Sequence, residues 1–191
     1  MNKTAKLLIE NAQYLIQTRG YNAFSYSDLA KEMGIRKASI HYHFPTKSDL
    51  GVAVVQAYAE QIQVLMPDVT DPDPESYISA LSNYLTPIMA MAADEEIICL
   101  CGSLAAEQQT LSPDMQAEVT RFFKTHIIWL GTLLARGREA GAFRFEGDPD
   151  DLAKLAFSAL QGGMLVRRAL SDPSVIYAAA RQLRQSIGLA D

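Results

Sequence analysis

Three features that mark other protein classes are scarce in this sequence: cysteine, long apolar runs and an excess of positive charge. Only two cysteines, Cys99 and Cys101, occur in 191 residues, which is too few for a disulfide framework. No window holds 18 consecutive apolar residues, and the first residues lack the apolar core of a signal peptide. We therefore expect a cytoplasmic protein that has no membrane partner.

The charge is distributed unevenly along the chain. The net charge of −5 excludes a protein that coats nucleic acid with a uniformly basic surface. Residues 1–50 nevertheless contain seven Lys and Arg against four Asp and Glu, whereas residues 51–191 contain ten against eighteen. A basic N-terminal segment on an acidic remainder indicates an anionic partner for that segment alone.

Apolar residues at helical spacing, together with helix-end signals, predict an all-α chain of about nine helices. Gly20 is expected to end the first helix, Ser25 to cap the second and Gly34 to lie in the turn before the third. Two short helices joined in this way make a helix-turn-helix. The predicted helices cover residues 1–19, 26–33, 37–43, 47–66, 74–93, 98–109, 113–140, 149–170 and 173–187.

One segment, residues 34–50, concentrates chemically versatile side chains and reads GIRKASIHYHFPTKSDL. A metal site is disfavoured because His41 and His43 are two apart on a helix and so point about 200° away from each other. An acid–base site would need a pocket, which a short helix between Gly34 and Pro45 does not offer. A surface that meets an anion is the remaining interpretation.

A helix-turn-helix lays its second helix in the major groove of DNA, with the first residues of that helix against the base edges. Here those residues are Arg36, Lys37, Ala38 and Ser39. Ile40 and Phe44 are four apart and should face the core. Tyr42 has two interpretations, phosphate contact or packing on the first helix. The predicted phosphate contacts are Ser25, His41, Tyr42, His43 and Lys47.

The segment from 24 to 50, FSYSDLAKEMGIRKASIHYHFPTKSDL, resembles the DNA-binding signature of the TetR family of transcriptional regulators. It departs from that signature at Arg36, where a serine cap is usual, and at His41, where a tyrosine is usual. The matching positions are Ser25, Leu29, Ala30, Gly34, Ile35, Ser39, Ile40, His43, Phe44, Lys47 and Leu50.

The resemblance implies a ligand-responsive repressor that binds a near-palindromic double-stranded DNA operator as a homodimer. It implies a helix-turn-helix domain over residues 1–46 and a ligand-binding and dimerisation domain over 47–191. Helices 149–170 and 173–187 would form the dimer face and a small molecule would act as inducer. No cofactor or metal is expected. The glycines at 162 and 163 disfavour a helix, so we expect a close neighbour there.

The inducer site is less clear from the sequence, because apolar residues at helical spacing usually pack in a core. His126 and Trp129 are three apart and carry ring N–H groups that need polar partners when buried, which a pocket or the protein itself could supply. The candidate lining residues are Tyr84, Met89, Cys99, Leu104, Phe122, His126, Trp129, Phe157 and Met164.

Cys99 is the candidate redox sensor. A helix that starts at 98–99 would place it at a helix N-terminus, where thiols ionise more readily and react faster. The run from Cys99 to Met115 is similar to TetR-family repressors that sense reactive electrophiles through a cysteine at this position. A structural role for both thiols, or an inducer that binds without a covalent bond, stays open.

Two rival functions come from other classes: an all-α enzyme, and a helical binding protein without a DNA function. The sequence has no paired carboxylates, nucleophile motif, phosphate loop or metal-ligand spacing to support the enzyme. The basic pattern over 36–47 argues against the binding protein.

Overall fold

The computed structural model describes residues 2–94 and 96–189, and within them the fold is all α. Nine α-helices and one short 3₁₀ turn, Gln108–Thr110, account for the regular structure of these described residues. The helices are α1 Lys3–Arg19, α2 Tyr26–Met33, α3 Lys37–His43, α4 Lys47–Gln63, α5 Pro74–Met91, α6 Leu100–Ala106, α7 Pro113–Glu139, α8 Pro149–Leu170 and α9 Ser174–Ser186.

Local sequence signals set most helix boundaries. Ser25 and Asp28 form a capping box at the start of α2, and Gly34 ends it in the left-handed conformation at φ +64°. The predicted helix 98–109 is wrong in extent, because α6 covers only Leu100–Ala106 and Glu107 leaves the helical region. Cys99 is the residue that precedes α6, as expected.

The chain divides into two compact units, Met1–Gln61 with Glu96–Phe122 and Ile62–Glu95 with Phe123–Asp191. The first unit contains α1, α2, α3 and α6, and α1 packs against both α2 and α6. In the second unit α9 packs against α8 and α5. The functional boundary at residue 46 stays a prediction.

Across residues 2–94 and 96–189, no helix is both long enough and apolar enough to span a bilayer.

Candidate functional site

Helix α3 is anchored in the first unit by one fully buried side chain, while its first turn is exposed. Ile40 is fully buried. The four residues from 36 to 39 are all exposed, so they form a face that can approach another molecule. We call Arg36, Lys37, Ala38 and Ser39 the recognition face.

Arg36 occupies the N-cap position of α3 but does not replace a capping serine. Its backbone is extended, at φ −80° and ψ 143°. Its side chain forms no capping hydrogen bond in the part of the chain that the structure describes. The exposed guanidinium is therefore available to donate to an external acceptor.

The turn after α3 is held by Tyr26, which sequence reasoning did not single out. Its hydroxyl donates to the carbonyl oxygens of Phe44, at 2.9 Å, and Thr46, at 2.5 Å. His41 packs its ring on Tyr26 with 4.9 Å between ring centroids. Burial, and then Asp49, raise the pKa of Tyr26, so it stays a neutral donor. Phe44 is half-buried rather than fully in the core.

The side chain of Lys47 points into its own unit rather than towards solvent. Its ammonium Nζ donates to the carbonyl oxygens of Tyr21 and Phe24, each at 2.5 Å. It also lies 4.2 Å and 4.3 Å from the centroids of the two rings. Burial lowers the pKa of Lys47. The predicted phosphate contact thus has a structural role that the sequence did not reveal, and a DNA role remains a prediction.

The other predicted phosphate contacts differ in their exposure and in the contacts that they already make. Tyr42 is 84% exposed, so the interpretation that it packs on α1 is wrong. His43 is half-buried, with its ring 5.0 Å from that of Tyr42. The hydroxyl of Ser25 is exposed but already bonded to Asp28 Oδ2 at 2.7 Å. His41 Nδ1 lies 3.1 Å from the carbonyl oxygen of Pro45.

In the second unit, four predicted ligand-lining residues come together as one aromatic cluster: Tyr84, His126, Trp129 and Phe157. The Tyr84 hydroxyl and His126 Nδ1 share a hydrogen bond of 2.9 Å. Phe157 stacks on His126 at 5.3 Å, and Trp129 lies 4.9 Å from Tyr84. Trp129 Nε1 donates to the carbonyl oxygen of Pro67 at 2.9 Å. Burial lowers the pKa of His126 to about 4, so its ring is neutral near pH 7.

The remaining predicted lining residues lie elsewhere. Met89, half-buried, and Met164, buried, belong to the second unit. Cys99, Leu104 and Phe122 are buried in the first unit. The nine candidates are thus shared between the two units, and their use by one inducer stays a prediction.

Both cysteines are buried thiols of the first unit. Cys99 is 3% exposed, and the Tyr58 hydroxyl donates to its Sγ at 3.8 Å. Burial raises the pKa of Cys101 well above its usual range, and the neighbouring Cys99 adds to that effect. The Cys101 thiol therefore stays protonated near pH 7.

Side chains from distant parts of the sequence fasten α6 and its flanks to α1 within the first unit. Gln17 Nε2 donates to the carbonyl oxygen of Ile98 at 2.9 Å, and Ser103 Oγ donates to that of Ile16 at 3.0 Å. The Asn22 backbone N–H donates to Glu107 Oε2 at 3.0 Å. Sequence reasoning missed these bonds, although a polar Gln17 on the apolar face of α1 could have signalled one.

Comparison with known proteins identifies the group to which this architecture belongs. Residues 8–54 match the family model described as bacterial regulatory proteins, tetR family. A TetR-family transcriptional regulator of known structure from Agrobacterium tumefaciens is 32% identical, with a TM-score of 0.85. The similarity covers 96% of this chain and 97% of that one. The chain belongs to the TetR family. It is a transcriptional regulator with the N-terminal helix-turn-helix that the sequence predicted.

Two curated relatives of this TetR-family chain are named as repressors. The transcriptional repressor DhaR of Mycobacterium sp. strain GP1 is 25% identical, over 83% of this chain and 79% of that protein. The transcriptional repressor NemR of Escherichia coli K12 is 24% identical, over 85% and 82%. These relatives are regulators by name, so they support the DNA-binding interpretation over its rivals.

Proposed function

We propose that this TetR-family regulator is a ligand-responsive repressor that binds a near-palindromic operator as a homodimer and leaves it when an inducer binds. One observation carries the proposal: the recognition face is exposed while Ile40 anchors the same helix in the core. A helix held from behind, with Arg and Lys at its first turn, suits insertion into a major groove.

Fluorescence anisotropy with labelled DNA from upstream of the chain's own gene tests this proposal. Arg36→Ala and Lys37→Ala should each weaken operator binding by about 1–3 kcal/mol, roughly fivefold to 150-fold. Lys124→Ala removes an exposed cation from the second unit and serves as the charge control. If the operator binds all four proteins equally, or none at low salt, the assignment of the recognition face fails.

The proposed homodimer uses α8, which carries apolar side chains that the protomer leaves exposed. Leu155, Ala159, Gly162 and Val166 follow one another at spacings of four, three and four, so they share one stripe of the helix. A Cβ placed on Gly162 would meet no atom within 4 Å, so nothing in the described chain requires glycine there. Close approach of a second α8 would explain the residue.

Gly162→Ala tests the dimer, because it should stabilise an isolated protomer but weaken a tightly packed dimer. In a protomer alone the substitution should stabilise α8 by about 1 kcal/mol, because alanine favours helices and the new methyl meets no atom. In a tightly packed dimer it should raise the dissociation constant. Thermal unfolding measures the effect on stability, and sedimentation measures the dissociation constant of the dimer. Ala159→Gly is a second variant on the same stripe of α8. A monomeric wild type at micromolar concentration would refute the dimer.

The proposed effector signal acts on α6, because the same compact unit contains α6, α1 and the recognition face. An inducer that displaces α6 would disturb the bonds from Gln17 and Ser103, and with them the position of α1. The aromatic cluster remains the candidate wall of a non-covalent inducer site, by virtue of its rings and its Tyr84–His126 hydrogen bond.

An electrophile that reacts with Cys99 is the finer form of this proposal. The hydrogen bond from the Tyr58 hydroxyl fixes the position of Cys99 Sγ, the atom that would react. The thiolate is the nucleophilic form of cysteine. Addition to an unsaturated carbonyl compound would form a carbon–sulfur bond, and the thiol proton would pass to the product. Because Cys99 is enclosed, the added group has to push α6 from its place.

Operator release by N-ethylmaleimide tests the Cys99 proposal. Wild type and Cys101→Ser should lose operator binding after treatment, whereas Cys99→Ser should keep it. Cys101 is the matched control because it is equally buried and only two residues away. Release from Cys99→Ser at the wild-type rate would refute the sensor while leaving the DNA-binding assignment intact.

A further inference from the structure

The second unit also contains a groove at its surface. It has a volume of about 490 Å³ and runs between the loop that precedes α5 and the last turn of α7. Its walls combine apolar surface with hydroxyl and charged groups, contributed by Val69, Thr70, Pro72, Tyr77, Arg136 and Glu139. A volume of this size can hold a small organic molecule.

Tyr77 gives the first sign that the groove is built to hold something. The residue is only 5% exposed and lines the groove. Its hydroxyl makes no hydrogen bond to residues 2–94 or 96–189. The hydroxyl oxygen is not fully enclosed, so a molecule in the groove can reach it. A phenol buried to this degree normally has a partner, so the hydroxyl is left to bond whatever occupies the groove.

The charge around the groove indicates which ligands it favours. Among the described residues, Arg136 is the one cation on the groove wall, and it is already paired with Asp68 at 2.8 Å. Glu139 is exposed and forms no ion pair within the described residues. Asp71 and Asp73 add two carboxylates in the adjoining loop. Glu139 also ends α7, where the helix dipole places partial negative charge.

A metal ion is a poorer occupant than an organic cation. Within the described part of the chain, no group of three His, Cys, Asp or Glu side chains is placed to hold a metal ion. Val69 and Pro72 offer apolar contact, which a hydrated ion cannot use but a hydrocarbon body can. An ammonium group with an aromatic or alkyl body matches both the charge and the apolar wall.

We infer that this groove is a second small-molecule site, which binds an organic ammonium compound through the Glu139 carboxylate and the Tyr77 hydroxyl. The site is independent of the proposed operator contacts and of Cys99. A smaller cavity beside it, lined by Trp129, shares Val69, Tyr77 and Arg136 with the groove. Trp129 is the single tryptophan of the chain, so its fluorescence reports occupancy.

Titration of the full-length protein with benzylammonium, whose N–H groups can donate to the Tyr77 hydroxyl and to the Glu139 carboxylate, tests the inference. Calorimetry and Trp129 fluorescence follow the titration. We expect saturable binding with a fluorescence change, weakened by high salt and absent for benzylsulfonate, the matched anion. Glu139→Gln and Tyr77→Phe should each weaken binding about threefold to fivefold. Glu60→Gln removes an exposed carboxylate from the first unit and should bind as wild type does.

Three results would overturn the site: no saturable heat with the cation, equal affinity for benzylsulfonate, or unchanged affinity in Glu139→Gln. Circular dichroism of the variants establishes that they fold. Because Glu139 is exposed, its glutamine variant keeps the test valid even if Tyr77→Phe is destabilised. None of these measurements contains DNA, so a failed operator assay leaves them unaffected.

Discussion

The recognition face on α3 and the aromatic cluster of the second unit differ in what their side chains already contact. On α3 the fold leaves Arg36 exposed and without a capping bond, so that its chemistry is directed outward. In the cluster, His126 bonds Tyr84 and stacks on Phe157. The same residue types that bind ligands can thus pack in a core, and the contacts decide between the two roles.

The largest expected effect tests whether the cluster is core. Phe157 is 3% exposed and packs against His126 and Phe123. Phe157→Ala should lower the free energy of unfolding by about 3–5 kcal/mol, because a large buried ring leaves a cavity. Arg36→Ala, its counterpart on the recognition face, should change that free energy by less than about 0.5 kcal/mol. Urea denaturation of both variants measures the difference.

A small effect of Phe157→Ala would break the comparison. A cost below about 1 kcal/mol would mean that the ring borders open space rather than packed atoms. The cluster would then be a preformed pocket wall, and inducer affinity would be the property to follow in this variant.

Acid conditions sharpen the comparison through His126. Its pKa is about 4 in the folded protein, because burial disfavours the charged ring, against about 6.5 in the unfolded chain. The neutral ring contributes its full stability above pH 6.5 and loses it as the pH falls towards 4. The wild type should lose about 3 kcal/mol relative to His126→Gln over that range, by urea denaturation at each pH.

The His126 prediction has a clear contrary outcome. If the wild type and His126→Gln differ by the same free energy at every pH between 4 and 7, the imidazole titrates alike in the folded and unfolded protein. The ring would then be in contact with water, as expected of an open ligand pocket.

Sequence alone predicted what local signals encode and missed what distant residues supply. The bounds of α2 follow from Ser25 and Gly34, which act within one turn of chain. The bond from Gln17 to Ile98 joins residues 81 positions apart, and no spacing rule predicts such a pair. The inward turn of Lys47 was hidden for the same reason, since its acceptors are backbone atoms that any sequence possesses.

Comparing Lys47 with Lys37 separates a structural role of a basic residue from a role in DNA binding. Lys47→Ala should lower the free energy of unfolding by about 2 kcal/mol, because it removes charge-assisted hydrogen bonds to two carbonyl oxygens. Lys37 is exposed, so Lys37→Ala should leave stability unchanged while weakening operator binding. Unchanged stability of Lys47→Ala would refute the structural role of its ammonium.

The smallest effect concerns Tyr42, the aromatic residue of α3 that the fold leaves 84% exposed. Tyr42→Phe removes only the hydroxyl, so stability should stay within about 0.5 kcal/mol of the wild type. If that hydroxyl donates to a phosphate, operator affinity should fall by about 1 kcal/mol, roughly fivefold, for every DNA sequence alike. Equal losses on operator and on unrelated DNA distinguish phosphate contact from base reading. A loss confined to the operator would extend the recognition face by one more residue along α3.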